Sequence, residues 1–311
     1  MNNGSKWYGN LLLTITAIIW GLAFVAQSAG MNYVGPFTFQ CVRCALGAAV
    51  VFPLMVRRLF KPFPKGEEGE PSVGKGHSKH ITREMFIGGL FCGLAFTSAA
   101  VLQQFAMVTT DAGKAAFITA LYIVLVPVFG IFLGEKVKLR IWGCVLLCIV
   151  GVWFISISGQ AKKQPADILL LLCAAIFAVQ IQLVNYYVKR IDGVWISFMQ
   201  LATSVAVTLV PMLFLEKPSF DMIVDARYPI LYAGILSCGI AYTLQIIGQK
   251  YTSPVTAGLI MSMECVFGML GGVMILHQVP SGREVFGCIL VFTAVILSQV
   301  EIREIIKKKA A

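Results

Sequence analysis

Residues 97–147 read TSAAVLQQFAMVTTDAGKAAFITALYIVLVPVFGIFLGEKVKLRIWGCVLL. Residues 239–291 read GIAYTLQIIGQKYTSPVTAGLIMSMECVFGMLGGVMILHQVPSGREVFGCILV. The two stretches align: Thr109 with Thr252, Thr119 with Ser262 and Arg140 with Arg283, all offset by 143. Gly143–Cys144 then meets Gly287–Cys288, one residue further on. Nearer the N-terminus, Trp20 aligns with Phe177 and Arg43 with Gln200, offset by 157. The 14-residue difference between the offsets fits the extra length of a hydrophilic loop at 61–83.

Working outward from the repeat, ten apolar segments can be marked, at 8–27, 37–59, 85–108, 112–133, 141–158, 168–188, 195–215, 228–249, 255–276 and 285–300. Each approaches the roughly 17–25 residues a helix needs to cross a bilayer. Their apolarity is continuous, which argues helix, since membrane strands alternate with period two. The first segment is expected to stay as a helix, because its apolar run from Leu11 to Ala26 exceeds a signal-peptide core. Each half holds five segments. Five is odd, so the second half enters the membrane from the opposite side, and the repeats are inverted. Inverted repeats are a construction of secondary transporters, whose two halves exchange inward and outward conformations. The expected fold is therefore an all-α integral membrane protein of ten transmembrane helices around a central cavity. The repeats fall at 1–158 and 166–302, the first including the cytoplasmic loop 61–83.

Composition agrees with a membrane class. The 311 residues are 58% hydrophobic and 13% charged, with a mean hydropathy of +0.82. A water-soluble domain carries about 25% charged residues, so a soluble enzyme, a disordered regulator and a disulfide-stapled secreted domain are excluded. The net charge of +10 reads as cytoplasmic Lys and Arg rather than as a nucleic-acid surface. Of the 25 Lys and Arg, 18 fall at the termini and even-numbered loops, six on the opposite side, and Arg43 within a span. This split places both termini in the cytoplasm of a multi-pass cell (inner) membrane protein. The nine cysteines all lie in apolar segments without metal-ligand spacing and read as packing residues. His77 and His80 sit in the 61–83 loop and read as solvated. No metal and no cofactor are expected. The motifs HExxH, GxSxG and GxxxxGK[ST] do not occur, and transport without an ATP-binding domain would be secondary.

The chain resembles the drug/metabolite transporter superfamily and, within it, the EamA-type two-repeat transporters. The likeness rests on AIIWGLAFV at 17–25, the second-span Arg43, TALYIVLVPVFGIFLGEKV at 119–137, SMECVFGMLGG at 262–272 and GCILVFTAVILSQ at 287–299. It covers nearly the whole chain outside the 61–83 loop and the extreme termini. Two positions depart: His277–Gln278 stands where a Gly–Glu like Gly134–Glu135 is usual, and Cys265 where a Pro is usual. The resemblance implies export or import of a small metabolite such as an amino acid, through a cavity formed by the first, third, fourth, sixth, eighth and ninth helices.

Polar groups within apolar spans carry the site expectation, because ionisable residues there are costly and face a cavity or a partner. Arg43 reads either as a structural anchor or as a direct substrate contact. Glu264 can hold an ammonium group, couple transport to protons, or be structural. Tyr242, Gln245 and Gln249 fall at i, i+3 and i+7 on one helical face. Gln103, Gln104, Gln180, Gln182 and Asn185 add amides in other segments, and Pro53 and Pro127 are candidate bends. The expected substrate-binding set is Trp20, Gln103, Tyr122, Gln180, Tyr242, Gln245 and Glu264, a lining suited to a zwitterionic or neutral small molecule. The expected function is secondary export of an amino acid or related metabolite by alternating access. A membrane-embedded lipid-modifying enzyme and a non-transporting sensor or assembly protein remain alternatives. The expected partners are a small-molecule substrate and the lipid bilayer, with no nucleic acid; the oligomeric state is open.

Overall fold

The structure is a computed structural model and describes residues 3–60, 82–110, 112–156, 165–276 and 281–299. Most of the 61–83 loop with His77 and His80, together with Asp111, Lys162, Lys163 and His277–Gln278, lies outside the described residues. Among the described residues every regular element is a helix. Apolar surroundings offer no water to backbone amides, so a crossing segment must satisfy them internally, as a helix does.

The chain runs through α1 (Asn3–Gly30), α2 (Pro36–Phe60), α3 (Arg83–Met107), α4 (Ala112–Ala120), α5 (Tyr122–Phe132) and α6 (Leu139–Ser156). It continues through α7 (Pro165–Tyr187), α8 (Gly193–Pro211), a π-helical turn at Met212–Glu216, and the short α9 (Phe220–Asp225). Then follow α10 (Arg227–Leu231), a π-helical stretch at Tyr232–Ala241, α11 (Tyr242–Gln249), α12 (Pro254–Met261), α13 (Glu264–Leu276) and α14 (Gly282–Gln299). Among the described residues, seven segments are long and apolar enough to cross a membrane, and Leu139–Phe154 and Pro254–Leu270 are shorter apolar helices.

Helix starts follow from local chemistry. Thr82, Asp192 and Ser253 accept from the backbone N–H of Met85, Val194 and Thr256, and so cap α3, α8 and α12. Pro254, lacking an N–H, sits at the first turn of α12, where none is needed. After α5, Gly134 takes φ +84°, and Glu135 N donates to Gly130 O at 2.8 Å. This left-handed turn reverses the chain and satisfies the terminal carbonyls.

The polarity is inside out. Gln40, Gln104, Gln180, Gln200 and Gln249 are fully buried, while Phe132, Leu139, Phe214 and Leu215 are exposed. Water would enforce the opposite arrangement; a lipid surround favours this one. Small residues let helices approach closely. A Cβ at Gly21 of α1 would lie 2.6 Å from the backbone N of Gly268 in α13, and one at Gly151 of α6 would lie 2.8 Å from Gly287 O in α14.

In two repeat-related pairs, α2 with α8 and α6 with α14, the helices pack against each other, and each pair is held at both ends. At one end of the α2–α8 pair, Arg58 Nη1 meets the capping Asp192 at 2.9 Å. At the other, Glu216 accepts from Phe37 N (2.9 Å), Thr38 N (2.7 Å) and Thr38 Oγ1 (2.6 Å). In the α6–α14 pair, Arg140 Nη2 donates to Ser298 O at 3.4 Å. Its repeat mate Arg283 lies over the Trp153 ring at 4.6 Å.

Four expected segments differ from single regular helices, the one at 195–215 through the π-helical turn at Met212–Glu216. The segment at 112–133 is interrupted at Leu121 and that at 255–276 at Ser262–Met263, places that fall within two residues of each other in the repeat alignment. The segment at 228–249 carries the π-helical stretch. Pro127 lies inside α5 and Pro53 inside the continuous α2, so the interruptions fall at neither expected bend.

Candidate functional site

The interruptions are tightened turns. Leu121 N bonds Ile118 O at 3.2 Å and Val124 N bonds Leu121 O at 3.0 Å. In the second half, Met263 N bonds Ile260 O at 3.1 Å and Cys265 N bonds Ser262 O at 3.2 Å. These i→i−3 bonds replace helical i→i−4 geometry, a pattern that marks hinges and sites. Each turn is followed by a polar residue at the start of the next helix: Tyr122 begins α5 and Glu264 begins α13. The positive end of the α13 dipole therefore faces a carboxylate. The Tyr122 hydroxyl donates to Glu264 Oε1 at 3.4 Å.

These two residues line a central cavity of about 40 Å³. Trp20, Gln103, Gln180, Tyr242 and Gln245 line it as well, and so does Arg43. Trp20 stands on α1 with its ring 4.6 Å from that of Tyr242, and Phe96 packs on Tyr242 from another side, also at 4.6 Å. Tyr242 follows directly on the π-helical stretch. One turn along α11, Gln245 Nε2 donates to Gln180 Oε1 (3.4 Å) and to Gln249 Oε1 (3.3 Å). Gln180 Nε2 in turn donates to Gln200 Oε1 at 2.9 Å. Gln103 Nε2 donates to Thr119 Oγ1 at 3.2 Å.

Among the described residues, two cavity atoms are left over. Trp20 Nε1, a donor, and Gln245 Oε1, an acceptor, are buried without a hydrogen-bond partner. An unmade buried hydrogen bond costs about 1–3 kcal/mol, so an occupant supplying an acceptor and a donor is favoured there. The present volume has room for about one to three waters, less than a small metabolite needs.

Arg43 is 2% exposed. Its Nε and Nη2 donate to Gln40 Oε1, the former at 2.8 Å, and its Nη1 donates to Gln27 Oε1 at 2.6 Å. Gln40 is held in turn by donating to Ser204 Oγ at 2.9 Å.

Other amides expected from the sequence do not line this cavity. Gln249 donates to Ile181 O at 3.4 Å, Gln182 to Val126 O at 2.9 Å, and Gln104 to Met31 Sδ at 3.5 Å. Asn185 is buried outside it. Sequence reasoning missed Gln27, Thr119 and Ser237, which do line it. Gln27 falls two helical turns after Trp20, and that spacing is a usable signal. Ser237 lies within the π-helical stretch, whose register a 3.6-residue period does not give.

The EamA-like transporter family matches residues 7–157 and again residues 164–299. An uncharacterized transporter of Archaeoglobus fulgidus is 28% identical, over 94% of this chain and 86% of that protein. The uncharacterized transporter YoaV of Bacillus subtilis is 21% identical, over 92% of this chain and 94% of that one. A crystal structure of a protein 19% identical superposes with a TM-score of 0.75, covering 96% of this chain and 98% of the other, a likeness of fold.

Proposed function

Because the chain belongs to the EamA-like transporter family, we propose that it is a secondary transporter exporting an amino acid or related small metabolite by alternating access. On this reading it crosses the cell (inner) membrane ten times, in two inverted repeats of five helices at 1–158 and 166–302. Both termini and the 61–83 loop are cytoplasmic, in keeping with the Lys and Arg distribution.

The observation that carries the reading is the position of the cavity. Trp20, Gln103 and Tyr122 reach it from the first half, and Gln180, Tyr242, Gln245 and Glu264 from the second. A site between two inverted halves can be reached from either side when the halves rock. The unpartnered Trp20 Nε1 and Gln245 Oε1 give a solute its first hydrogen bonds. The tightened turns before Tyr122 and Glu264 let each half-helix tilt without unwinding the whole span.

Purified protein in proteoliposomes loaded with labelled amino acids, sugars or amines tests the reading, with efflux followed with and without a pH gradient. Saturable efflux of a small solute, lost in Gln245→Leu, is expected. Efflux of every solute no faster than from protein-free liposomes contradicts it.

A further inference from the structure

We infer that the Lys114–Asp167 ion pair is a latch on the outer end of the half-helix α4, and that it biases the empty protein toward a cavity reached from the cytoplasm. This rests on the reading of the chain as an alternating-access exporter, and goes beyond it in naming a contact that sets which way the empty cavity faces.

Two contacts occupy equivalent places in the repeats. Lys114 Nζ meets Asp167 Oδ1 at 2.7 Å, joining the first turns of α4 and α7. Thr252 Oγ1 donates to Asn10 Oδ1 at 3.1 Å, joining the turn before α12 to α1. Asn10 aligns with Asp167 at the 157 offset, and Thr252 with Thr109, just before α4, at the 143 offset. Lys114 itself aligns with Ala257. Both members of the ion pair thus have uncharged repeat mates, and only one of the two equivalent contacts is charged.

Packing places these contacts at opposite ends of the bundle. Next to Asn10, a Cβ added at Gly9 would meet Gly248 O, near the end of α11, at 2.9 Å. A Cβ added at Gly193 would meet Ile246 of the same helix at 3.3 Å and Val188, just past the end of α7, at 3.5 Å. Asp167 stands at the far end of α7. By the Lys and Arg distribution, Asn10–Thr252 is cytoplasmic and Lys114–Asp167 is on the outer side.

Each contact ties cavity-lining helices of opposite halves. Helices α4 and α7 carry Thr119 and Gln180, and α1 and α12 carry Trp20 and Met261. Both α4 and α12 are half-helices that end at the tightened turns, so each can tilt there. Beyond its turn, α5 is tied to α7 separately, by Gln182 Nε2 donating to Val126 O at 2.9 Å. The Arg58–Asp192 pair fastens neither half-helix, since it joins α2 to α8.

The two ties differ in strength. A charge-assisted hydrogen bond is roughly twice as strong as a neutral one. The Lys114 and Asp167 side chains are 23% and 22% exposed, so salt and water screen their attraction only in part. Opening the outer end breaks the stronger tie, and the empty protein therefore favours the cytoplasmic opening.

The test is the labelling of Gln245→Cys, in an otherwise cysteine-free full chain, by a membrane-impermeant thiol reagent. The reagent is applied from outside in intact cells and from the cytoplasmic face in inverted vesicles. Lys114→Ala and Asp167→Asn are each expected to raise the outside-to-cytoplasmic ratio of labelling rates about 2- to 5-fold. Together they are expected to shift it no more than the larger single change, because both remove one contact. Thr252→Val is expected to move the ratio the other way, and by less. If position 245 is labelled from both sides but neither Lys114→Ala nor Asp167→Asn raises the ratio, or if their shifts add, the latch is wrong and alternating access stands. An opposite shift for Thr252→Val as large as theirs overturns the bias. If position 245 is labelled from neither side in any variant, the alternating-access reading fails and the latch falls with it.

Discussion

The Tyr122 hydroxyl reaches Glu264 Oε1 at 3.4 Å, joining the first residues of two half-helices that occupy equivalent places in the two repeats. The contact crosses the interface between the halves at the depth where both helices tighten. On the proposed reading, a solute binding between the halves would compete for the same carboxylate, and this bond would rearrange as the halves move.

Glu264→Gln is accordingly expected to leave the protein folded and to alter the affinity or the pH dependence of transport, with Tyr122→Phe giving a smaller effect. Purified variants in proteoliposomes, assayed from acid to neutral pH, check this. Wild-type rates for Glu264→Gln over that range mean that the carboxylate is structural.

Gln245 and Tyr242 stand one turn apart on the cavity face of α11. Gln245→Leu and Tyr242→Ala are each expected to weaken transport about 5- to 150-fold, the equivalent of ~1–3 kcal/mol for a lost buried hydrogen bond. Folded protein, judged by size-exclusion elution, is expected to be unchanged. Lys138→Ala, at an exposed position away from the cavity, is expected to transport as the wild type.

The two ends of the α2–α8 pair differ in strength. Glu216 accepts from two backbone N–H groups and a hydroxyl, so Glu216→Ala is expected to cost ~1–2 kcal/mol. Arg58 is 58% exposed in its pair with Asp192, and Arg58→Ala is expected to cost below ~1 kcal/mol. Thermal unfolding in detergent orders them, and a larger loss for Arg58→Ala contradicts the assignment.

At Gly21, an added Cβ would meet the backbone of Gly268 at 2.6 Å. Gly21→Ala is expected to destabilise by ~1–3 kcal/mol through forced separation of α1 and α13. Gly143, with nothing within 4 Å of an added Cβ, is expected to tolerate the same change. Thermal unfolding of both variants decides it, and equal melting temperatures contradict the close approach.

The apolar segments were legible because membrane spans leave long uniform runs, and the repeat because Thr109, Thr119 and Arg140 recur at a constant offset. The tightened turns were not legible. Neither Leu121 nor Ser262–Met263 is marked by Pro or Gly, and Pro127, which does stand out, is accommodated inside α5. The π-helical stretch at Tyr232–Ala241 was likewise not read from the sequence. For the cavity, residue chemistry pointed to Trp20, Tyr242 and Gln245. It placed Gln249 on the same helical face as Gln245, whereas the Gln249 amide donates to Ile181 O and lies outside the cavity lining.

Access to position 245 from both sides of the membrane tests the central claim most directly. Gln245→Cys in an otherwise cysteine-free chain is to be treated with a membrane-impermeant thiol reagent, from outside in intact cells and from the cytoplasmic face in inverted vesicles. Labelling from both sides, suppressed by a transported solute, is the expected result, since alternating access exposes a site between the halves to each side in turn. No labelling from either side, together with normal transport by Gln245→Leu, would place this face of α11 against protein and contradict the account.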